Sequence, residues 1–323
     1  MGKEIAALTR AKREKNDEFY TQKKDIENEL IHYHKHLKDK IVYCNCDDYN
    51  KSKFVEYFME NFEKIGLKKL ISTGFSKDGQ GTYSEYDGTA FKTGFLSGNG
   101  DALGEECTEI LKQADVVVTN PPFSLFREYV AQLMEYGKKF IIIGNGNAVT
   151  YKEIFPYIKN NELWIGAGKG MGGKAMEFYV NADVYDASKG SVNRIENGKC
   201  YVGVTMCTWF TNIPHNHRNE PLDLYKKYSA DEYPKYDNYD AIEVSRVENI
   251  PMDYEGVMGV PISFLDKYCP TQFEIVGWSR HNDLNMDGGY WLGGCNDATI
   301  NGKAVYRRIL IRIKKAEPIV EVQ

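Results

Sequence analysis

Four short apolar runs, "KIVYC" (40–44), "KLIST" (69–73), "DVVVT" (115–119) and "KFIII" (139–143), alternate with stretches of helical period, and this constrains the fold more than any other feature. "DIENELIHYHKHL" places Ile26, Leu30, Tyr33 and Leu37 on one helical face. "SKFVEYFMENFEKIG" does the same with Phe54, Tyr57, Phe58, Phe62 and Ile65, and stops at Gly66. "EECTEILKQA" and "SLFREYVAQLMEYG" supply two further helices. The strand runs are continuously apolar, as expected when helices cover both faces of a sheet. Strand, helix, strand in this order predicts an α/β fold with a mostly parallel, doubly wound sheet. Ligands bind such sheets beyond the carboxyl ends of the strands. "YCNCDD", "GNGD" and "TNPPF" all fall at such ends or in adjoining loops.

The pattern changes towards the C-terminus. "YKEIFPYIKN" starts as a helix that Pro156 must bend or end. Residues 76–100, rich in Gly, Ser and Asp, read as a loop or hairpin. "KAMEFYV" and "KCYVGVTMCTWFTNI" read as strands that finish the sheet as an antiparallel pair. Residues 213–256 carry no helical period, and the remainder mixes short strands with turns such as "DGGYWLGGC". The expected organisation is a basic arm over 1–16, a catalytic domain over 17–212 and a recognition region over 213–323 that completes the fold.

No stretch approaches the ~18 consecutive apolar residues of a membrane span. The charged start "MGKEIAALTRAKREK" lacks a signal-peptide core, and Ala6 breaks the myristoylation pattern, so the cytoplasm is the expected compartment. Seven cysteines, an odd number without a regular frame, argue for reduced thiols. His32 and His36 of "HYHKH" share a helical face, but solvated surface histidines are the preferred reading and no metal is expected. The net charge of −5 leaves local basic patches as the guide to a polyanion. One is "TRAKREK", with Lys12 and Arg13. The other is "NGKAVYRRILIRIKK" (301–315), with Lys303, Arg307, Arg308 and Arg312, which reads equally well as a strand with a basic polar side.

Asn-Pro-Pro-Phe (120–123) directly after a buried strand has a chemical use. The exocyclic amine of adenine is a poor nucleophile because its lone pair is delocalised into the ring. Two acceptors aimed at its N–H groups favour pyramidalisation. The Asn120 side-chain oxygen supplies one and the Pro121 carbonyl the other, held in place by the fixed φ of proline. Pro122 stiffens the same turn, and Phe123 offers a flat face for the base. Base stacking on an aromatic contributes on the order of 1–3 kcal/mol, comparable to the few kcal/mol that base extrusion costs. A methyl donor of the adenosyl-sulfonium type calls for acidic partners nearby. Asp47 or Asp48 and Asp101 are the candidates, against the alternative that each caps a loop.

"DEFYTQ" (17–22), "VYCNCDD" (42–48), "GNGD" (98–101), "VVVTNPPFSLFREY" (116–129), "PKYDNYDAIEV" (234–244) and "GVMGVPISFLDKY" (256–268) together resemble the EcoRI-type adenine-specific DNA methyltransferases over nearly the whole chain. The resemblance implies a Rossmann-like S-adenosylmethionine-dependent methyltransferase fold. It implies methyl transfer to N6 of a flipped-out adenine in duplex DNA, in a restriction-modification setting, without a metal. Carried over by position, Asn120, Pro121, Pro122 and Phe123 are the catalytic candidates. Asp17, Phe19, Tyr20, Thr21, Cys44, Asn45, Asp47, Asp48, Asp101 and Asn120 are the cofactor candidates. The chain departs from the common pattern in two places: glycines are missing from the first cofactor loop, and Ser72 and Thr73 stand where an acid often binds ribose.

DNA reading falls to other residues, with Lys12, Arg13, Arg194, Arg218, Arg246, Arg280, Lys303 and Arg307 as candidates. A monomer or weak dimer is expected, beside a cognate endonuclease that shares the target without being bound. The rival readings are an amino-methyltransferase acting on RNA adenine or protein glutamine, and an inactive DNA-binding homologue. A nicotinamide-dependent oxidoreductase is excluded because no G-x-G-x-x-G follows the first strand.

Overall fold

The computed structural model describes residues 20–168, 170–171, 176–181, 192–197, 199–204, 206–281 and 286–314. The basic arm with Lys12 and Arg13, and also Asp17 and Phe19, lies outside the described residues. The chain divides into two compact units, one made of Met1–Ala148 with Leu163–His215, the other of Val149–Glu162 with Asn216–Gln323. Residues 149–162, assigned by sequence to the catalytic domain, thus belong to the second unit.

In the first unit, β1 (Tyr20–Thr21) leads into α1 (Lys23–Leu30), a 3-10 turn at Ile31–Tyr33 and α2 (His34–Leu37). Next come β2 (Ile41–Cys44), α3 (Lys53–Glu60), α4 (Phe62–Ile65), β3 (Lys69–Gly74) and the hairpin β4 (Thr82–Tyr86) and β5 (Phe91–Phe95). These are followed by α5 (Glu105–Gln113), β6 (Val116–Thr119), α6 (Phe126–Glu135) and β7 (Lys139–Asn145). After the excursion into the second unit, which contributes α7 (Phe155–Lys159), the first unit resumes with β8 (Trp164–Ile165), β9 (Met176–Asn181), β10 (Val192–Glu196), β11 (Lys199–Val204) and β12 (Cys207–Thr211).

Eight strands form the main sheet in the order β5-β4-β3-β2-β6-β7-β12-β8. The central four, β3-β2-β6-β7, are parallel to one another. The hairpin extends one side and β12 with β8 the other, all by antiparallel pairing. Of the two segments expected to finish this sheet as an antiparallel pair, only the later part of the second, β12, joins it. The strands β9 and β11 pair with each other instead, flanked by β1 and β10, in a separate four-stranded sheet. Both segments carry strand-forming residues, and pattern alone does not specify the partner.

Strand order reverses between β2 and β6, so the chain leaves these two neighbours in opposite directions and a crevice opens beyond their carboxyl ends. The core beneath that crevice is aromatic and aliphatic. Phe54 of α3 meets Trp209 of β12 edge-on, with ring centroids 6.0 Å apart. Both are almost fully buried, and each large side chain removed from water contributes ~1.5–3 kcal/mol. The histidines of "HYHKH" are half-buried rather than solvated, and His34 Nε2 lies 2.7 Å from Tyr57 Oη. Among the described residues no cluster of His, Cys, Asp and Glu is arranged to hold a metal.

The second unit has its own sheet, β13 (Ile242–Glu243), β14 (Met258–Val260), β18 (Ile309–Ile313) and β15 (Phe273–Trp278) in that order, and a small hairpin of β16 (Thr299–Ile300) and β17 (Lys303–Ala304). Pro156 sits in the first turn of α7, where its missing N–H costs nothing. The helix stacks Phe155 on Trp278 of β15 at 6.0 Å.

Candidate active site

The loop after β2 and the turn after β6 are tied together by one buried carboxylate. Asp47 Oδ1 accepts from Ser52 Oγ at 2.6 Å, and Oδ2 accepts from Thr119 Oγ1 at 2.6 Å. Ser52 is also the N-cap of α3, its Oγ accepting from the amides of Phe54 and Val55 at 3.1 and 3.3 Å. A single chain of hydrogen bonds therefore joins the ends of β2 and β6 to the start of α3. The Asp47 backbone N–H completes the clamp by donating to Thr73 O of β3 at 2.7 Å. Burial raises the Asp47 carboxyl to about 6, with the charge of Asp48 adding to the rise and the two hydroxyl donors opposing it.

Thr119 is the residue before Asn120, so the clamp fixes where the Asn-Pro-Pro-Phe turn starts. Asn120 is half-buried, Pro121 buried, and Pro122 and Phe123 half-buried. Pro122 O accepts from Leu125 N at 3.0 Å and closes the turn that leads into α6. No described backbone amide donates to the carbonyl of Pro121. Phe123 packs against the main core while keeping part of its ring exposed, and Phe126 behind it is buried. Position 120 is thus half-buried directly after the end of β6, with its side-chain oxygen enclosed.

The remaining sequence candidates separate into two groups. Cys44 and Asn45 are fully enclosed. Cys44 belongs to the apolar core, and burial pushes its thiol well up. Asn45 Oδ1 accepts from Tyr129 Oη of α6, and its carbonyl accepts from Thr73 Oγ1 at 3.3 Å. Ser72 and Thr73, which stand where an acid often binds ribose, are engaged with Ser84 Oγ at 2.8 Å and Tyr43 Oη at 2.7 Å.

Asp48 and Asp101, by contrast, are open. Asp48 is half-buried and holds Asn50 N at 3.0 Å. Asp101 is exposed and holds Leu103 N at 3.0 Å, just before α5. Glycines bring these two loops side by side. A Cβ on Gly74 would lie 2.7 Å from Asp48 Cα, and one on Gly100 (φ +79°) would lie 2.4 Å from Gly74 O. Close-packed glycines thus stand at the end of β3 and before α5. Phe75, next to Gly74 at the end of β3, is 57% exposed, a residue that sequence reading missed. Its signal was an aromatic directly after the strand's last glycine.

Thr21 is buried in β1, pairing with Phe178, and this strand lies against α3. Only the backbone of Tyr20 is described, opposite Tyr179, and the side chain of Arg194 lies outside the described residues.

Of the nominated DNA readers, Arg218 is buried. It is 6% exposed, lies 5.3 Å over the Tyr268 ring, and desolvation lowers its guanidinium to about 10. Arg308 and Arg312 pair with Glu243 at 2.6 Å and Glu274 at 3.3 Å. Arg280 and Arg307 share Asp297 at 3.7 and 3.8 Å, Arg246 meets Glu248 at 3.7 Å, and Lys303 is exposed in β17.

A parallel sheet with its order reversed at β2 and β6, and an Asn-Pro-Pro-Phe turn at that reversal, defines the class of amino-methyltransferases that act on an exocyclic or amide nitrogen. The family model described as "Adenine-specific methyltransferase EcoRI" matches residues 7–95 and 85–314. The chain is 43% identical to Type II methyltransferase M.EcoRI of Escherichia coli, over 96% of this chain and 97% of that one. It is 40% identical to Type II methyltransferase M.MgeORF184P of Mycoplasma genitalium (94% and 98%) and 39% identical to Type II methyltransferase M.MpnI of Mycoplasma pneumoniae (94% and 97%). No solved structure matches. The chain belongs to the EcoRI-type adenine-specific methyltransferases and is a site-specific DNA adenine methyltransferase. Methyltransferases of this kind use S-adenosylmethionine in general, and DNA is the substrate. The RNA, protein and inactive-homologue readings are not favoured. No described helix is long and apolar enough to cross a membrane.

Proposed function

We propose that the chain methylates N6 of an adenine turned out of duplex DNA, using Asn120 and the Pro121 carbonyl as the two acceptors for the amine. The observation that carries this reading is the Asp47 clamp, which joins the end of β2 to Thr119 and so fixes the start of the turn that carries Asn120. Acceptors placed in advance of the reaction favour the positive charge that develops on N6. Positioning two reactants in one crevice supplies much of the remaining acceleration. Phe123 stacks on the extruded base.

The residues around the crevice fit S-adenosylmethionine. That cofactor carries cationic groups, ribose hydroxyls and an adenine amine, which suit the open carboxylates Asp48 and Asp101. Phe75 offers an exposed ring for its adenine, and the loops carrying Gly74 and Gly100 pack too closely for a Cβ. When bound, S-adenosylmethionine supplies the electrophilic methyl group and leaves as S-adenosylhomocysteine. Asp47, enclosed with both oxygens occupied, shapes the site without touching the cofactor. Thr21 of β1, which lies beside α3, helps to close the site. The residues after the catalytic unit read the DNA sequence. The enzyme acts in the cytoplasm as a monomer or weak dimer, beside an endonuclease of the same target.

The test is to sequence DNA from a host that expresses the protein, with detection of N6-methyladenine. A single methylated motif is expected. In vitro, Asn120→Ala is expected to abolish transfer while calorimetry shows cofactor binding intact. Normal turnover by that variant removes the assigned role.

A further inference from the structure

The second unit holds an imidazole fixed at one ring nitrogen and on one face. His281 Nδ1 lies 2.7 Å from Asp287 Oδ2. Its ring is stacked on the indole of Trp291, with centroids 3.8 Å apart and planes 10° from parallel. Its backbone N–H donates to Asn296 O at 2.9 Å. The partner Asp287 is fully buried, and its other oxygen accepts from Gly289 N at 2.8 Å. The His281 side chain nevertheless keeps 29% of its surface exposed. Nε2 is its remaining polar atom and has no hydrogen-bond partner among the described residues.

The sequence builds this support at some cost. Gly277 of β15 lets the 287–288 backbone lie directly on the strand, since a Cβ there would stand 2.5 Å from the Asp287 carbonyl carbon. Gly288 (φ +69°) would bring a Cβ to 2.3 Å from Val276 O. The Trp278 N–H donates to Met286 O at 3.1 Å and anchors the same segment. Two positions barred to any side chain and a carboxylate taken fully out of water are a large outlay for filling space with a half-exposed ring. Buried carboxylates that fix the tautomer and direction of a histidine are the usual support for a ring nitrogen that contacts a ligand. The carboxylate on Nδ1 and the indole under the ring fix the direction of the imidazole, so Nε2 is left as its pre-aimed polar atom.

The surroundings suit a polyanion. Arg280 and Arg307 are both partly exposed beside Asp297, and Arg307 also lies 5.4 Å over the Trp278 ring, so two guanidinium groups stand near this ring. The arginines nominated from sequence are largely committed to neighbours, whereas His281 was not among the candidates.

We propose that His281 is a DNA-contacting residue, its Nε2 engaging a hydrogen-bonding group of the duplex, with Asp287 and Trp291 as its positioning residues. The inference rests on the reading of this chain as a DNA methyltransferase whose second unit reads sequence. Both a phosphate oxygen and a base edge in a groove offer such a group, and salt dependence separates them.

The experiment compares wild type, His281→Ala, His281→Gln and Asp287→Asn. The probe is a short duplex carrying the motif found by sequencing methylated host DNA, with a scrambled duplex as control. Methyl transfer, DNA affinity at several salt concentrations, cofactor binding and thermal midpoint are measured. His281→Ala is expected to raise KM for DNA ~10-fold with kcat within about twofold and cofactor binding unchanged. His281→Gln, which keeps a donor on a planar group, is expected to recover most of that loss. Asp287→Asn is expected to fall between them. Loss on both duplexes with a shallower salt slope identifies a phosphate contact. Loss confined to the motif duplex with an unchanged slope identifies a base contact. Both outcomes support the proposal. Unchanged KM in a folded His281→Ala variant overturns it, as does a loss matched by a fall in thermal midpoint that His281→Gln shares. A wild-type protein that methylates no DNA overturns the underlying reading instead.

Discussion

Removing one hydroxyl tests the Asp47 clamp directly. Thr119→Val keeps nearly the same volume but deletes the donor to Asp47 Oδ2 at 2.6 Å. A hydrogen bond to a charged group contributes ~1.5–3 kcal/mol and one between neutral groups about 1 kcal/mol. Which applies depends on the ionisation of Asp47, raised by burial from its ordinary 3.8 to about 6. An acid raised in the folded state favours folding in its protonated form. Its contribution is whole below the unfolded value and is lost as pH climbs to about 6, a difference of ~3 kcal/mol. Deleting the Thr119 donor pushes the carboxyl higher still, because that donor favours the ionised form. The variant is therefore expected to lose about 1 kcal/mol near pH 4.5 and ~2–3 kcal/mol near pH 8. Urea unfolding followed by tryptophan fluorescence at the two pH values reads this, since Trp209 is buried in the same unit. In an Asp47→Asn background the cost of Thr119→Val is expected to be equal at both pH values. A cost that does not grow with pH in the wild-type background refutes the clamp as described.

Three further outcomes follow from the same geometry. Gly100→Ala puts a methyl 2.4 Å from Gly74 O at a φ of +79°, so it should cost ~2 kcal/mol or more. It should also weaken cofactor binding by calorimetry, and unchanged affinity would detach that loop from the cofactor. Arg218→Ala should lower the unfolding midpoint, its desolvated contact with Tyr268 being worth ~2 kcal/mol. The same variant should leave KM for DNA unaltered, and a raised KM without destabilisation would restore Arg218 as a reader. Phe75→Ala should raise the cofactor dissociation constant about tenfold with kcat nearly unchanged at saturation, as expected for a stacking contact of 1–3 kcal/mol. An unaltered constant leaves the exposed ring without that role.

Local pattern was enough for the central strands and their helices, because continuous apolar runs and amphipathic periods are properties of contiguous residues. Asn-Pro-Pro-Phe was legible for the same reason, its four residues acting as one turn at a strand end. The family followed from short contiguous words. Pairing across distance was not legible. That β9 and β11 leave the main sheet, that Ser52 and Thr119 converge on Asp47, and that Asn45 serves Tyr129 while Asp48 and Asp101 stay open were settled by tertiary structure. Arg218 and His281 make the contrast sharpest. In sequence, a charge invites a place on the surface and a lone histidine invites none. Folding instead enclosed the arginine and propped the imidazole at the surface on a buried carboxylate, because which side chain keeps its water depends on neighbours drawn from elsewhere in the chain.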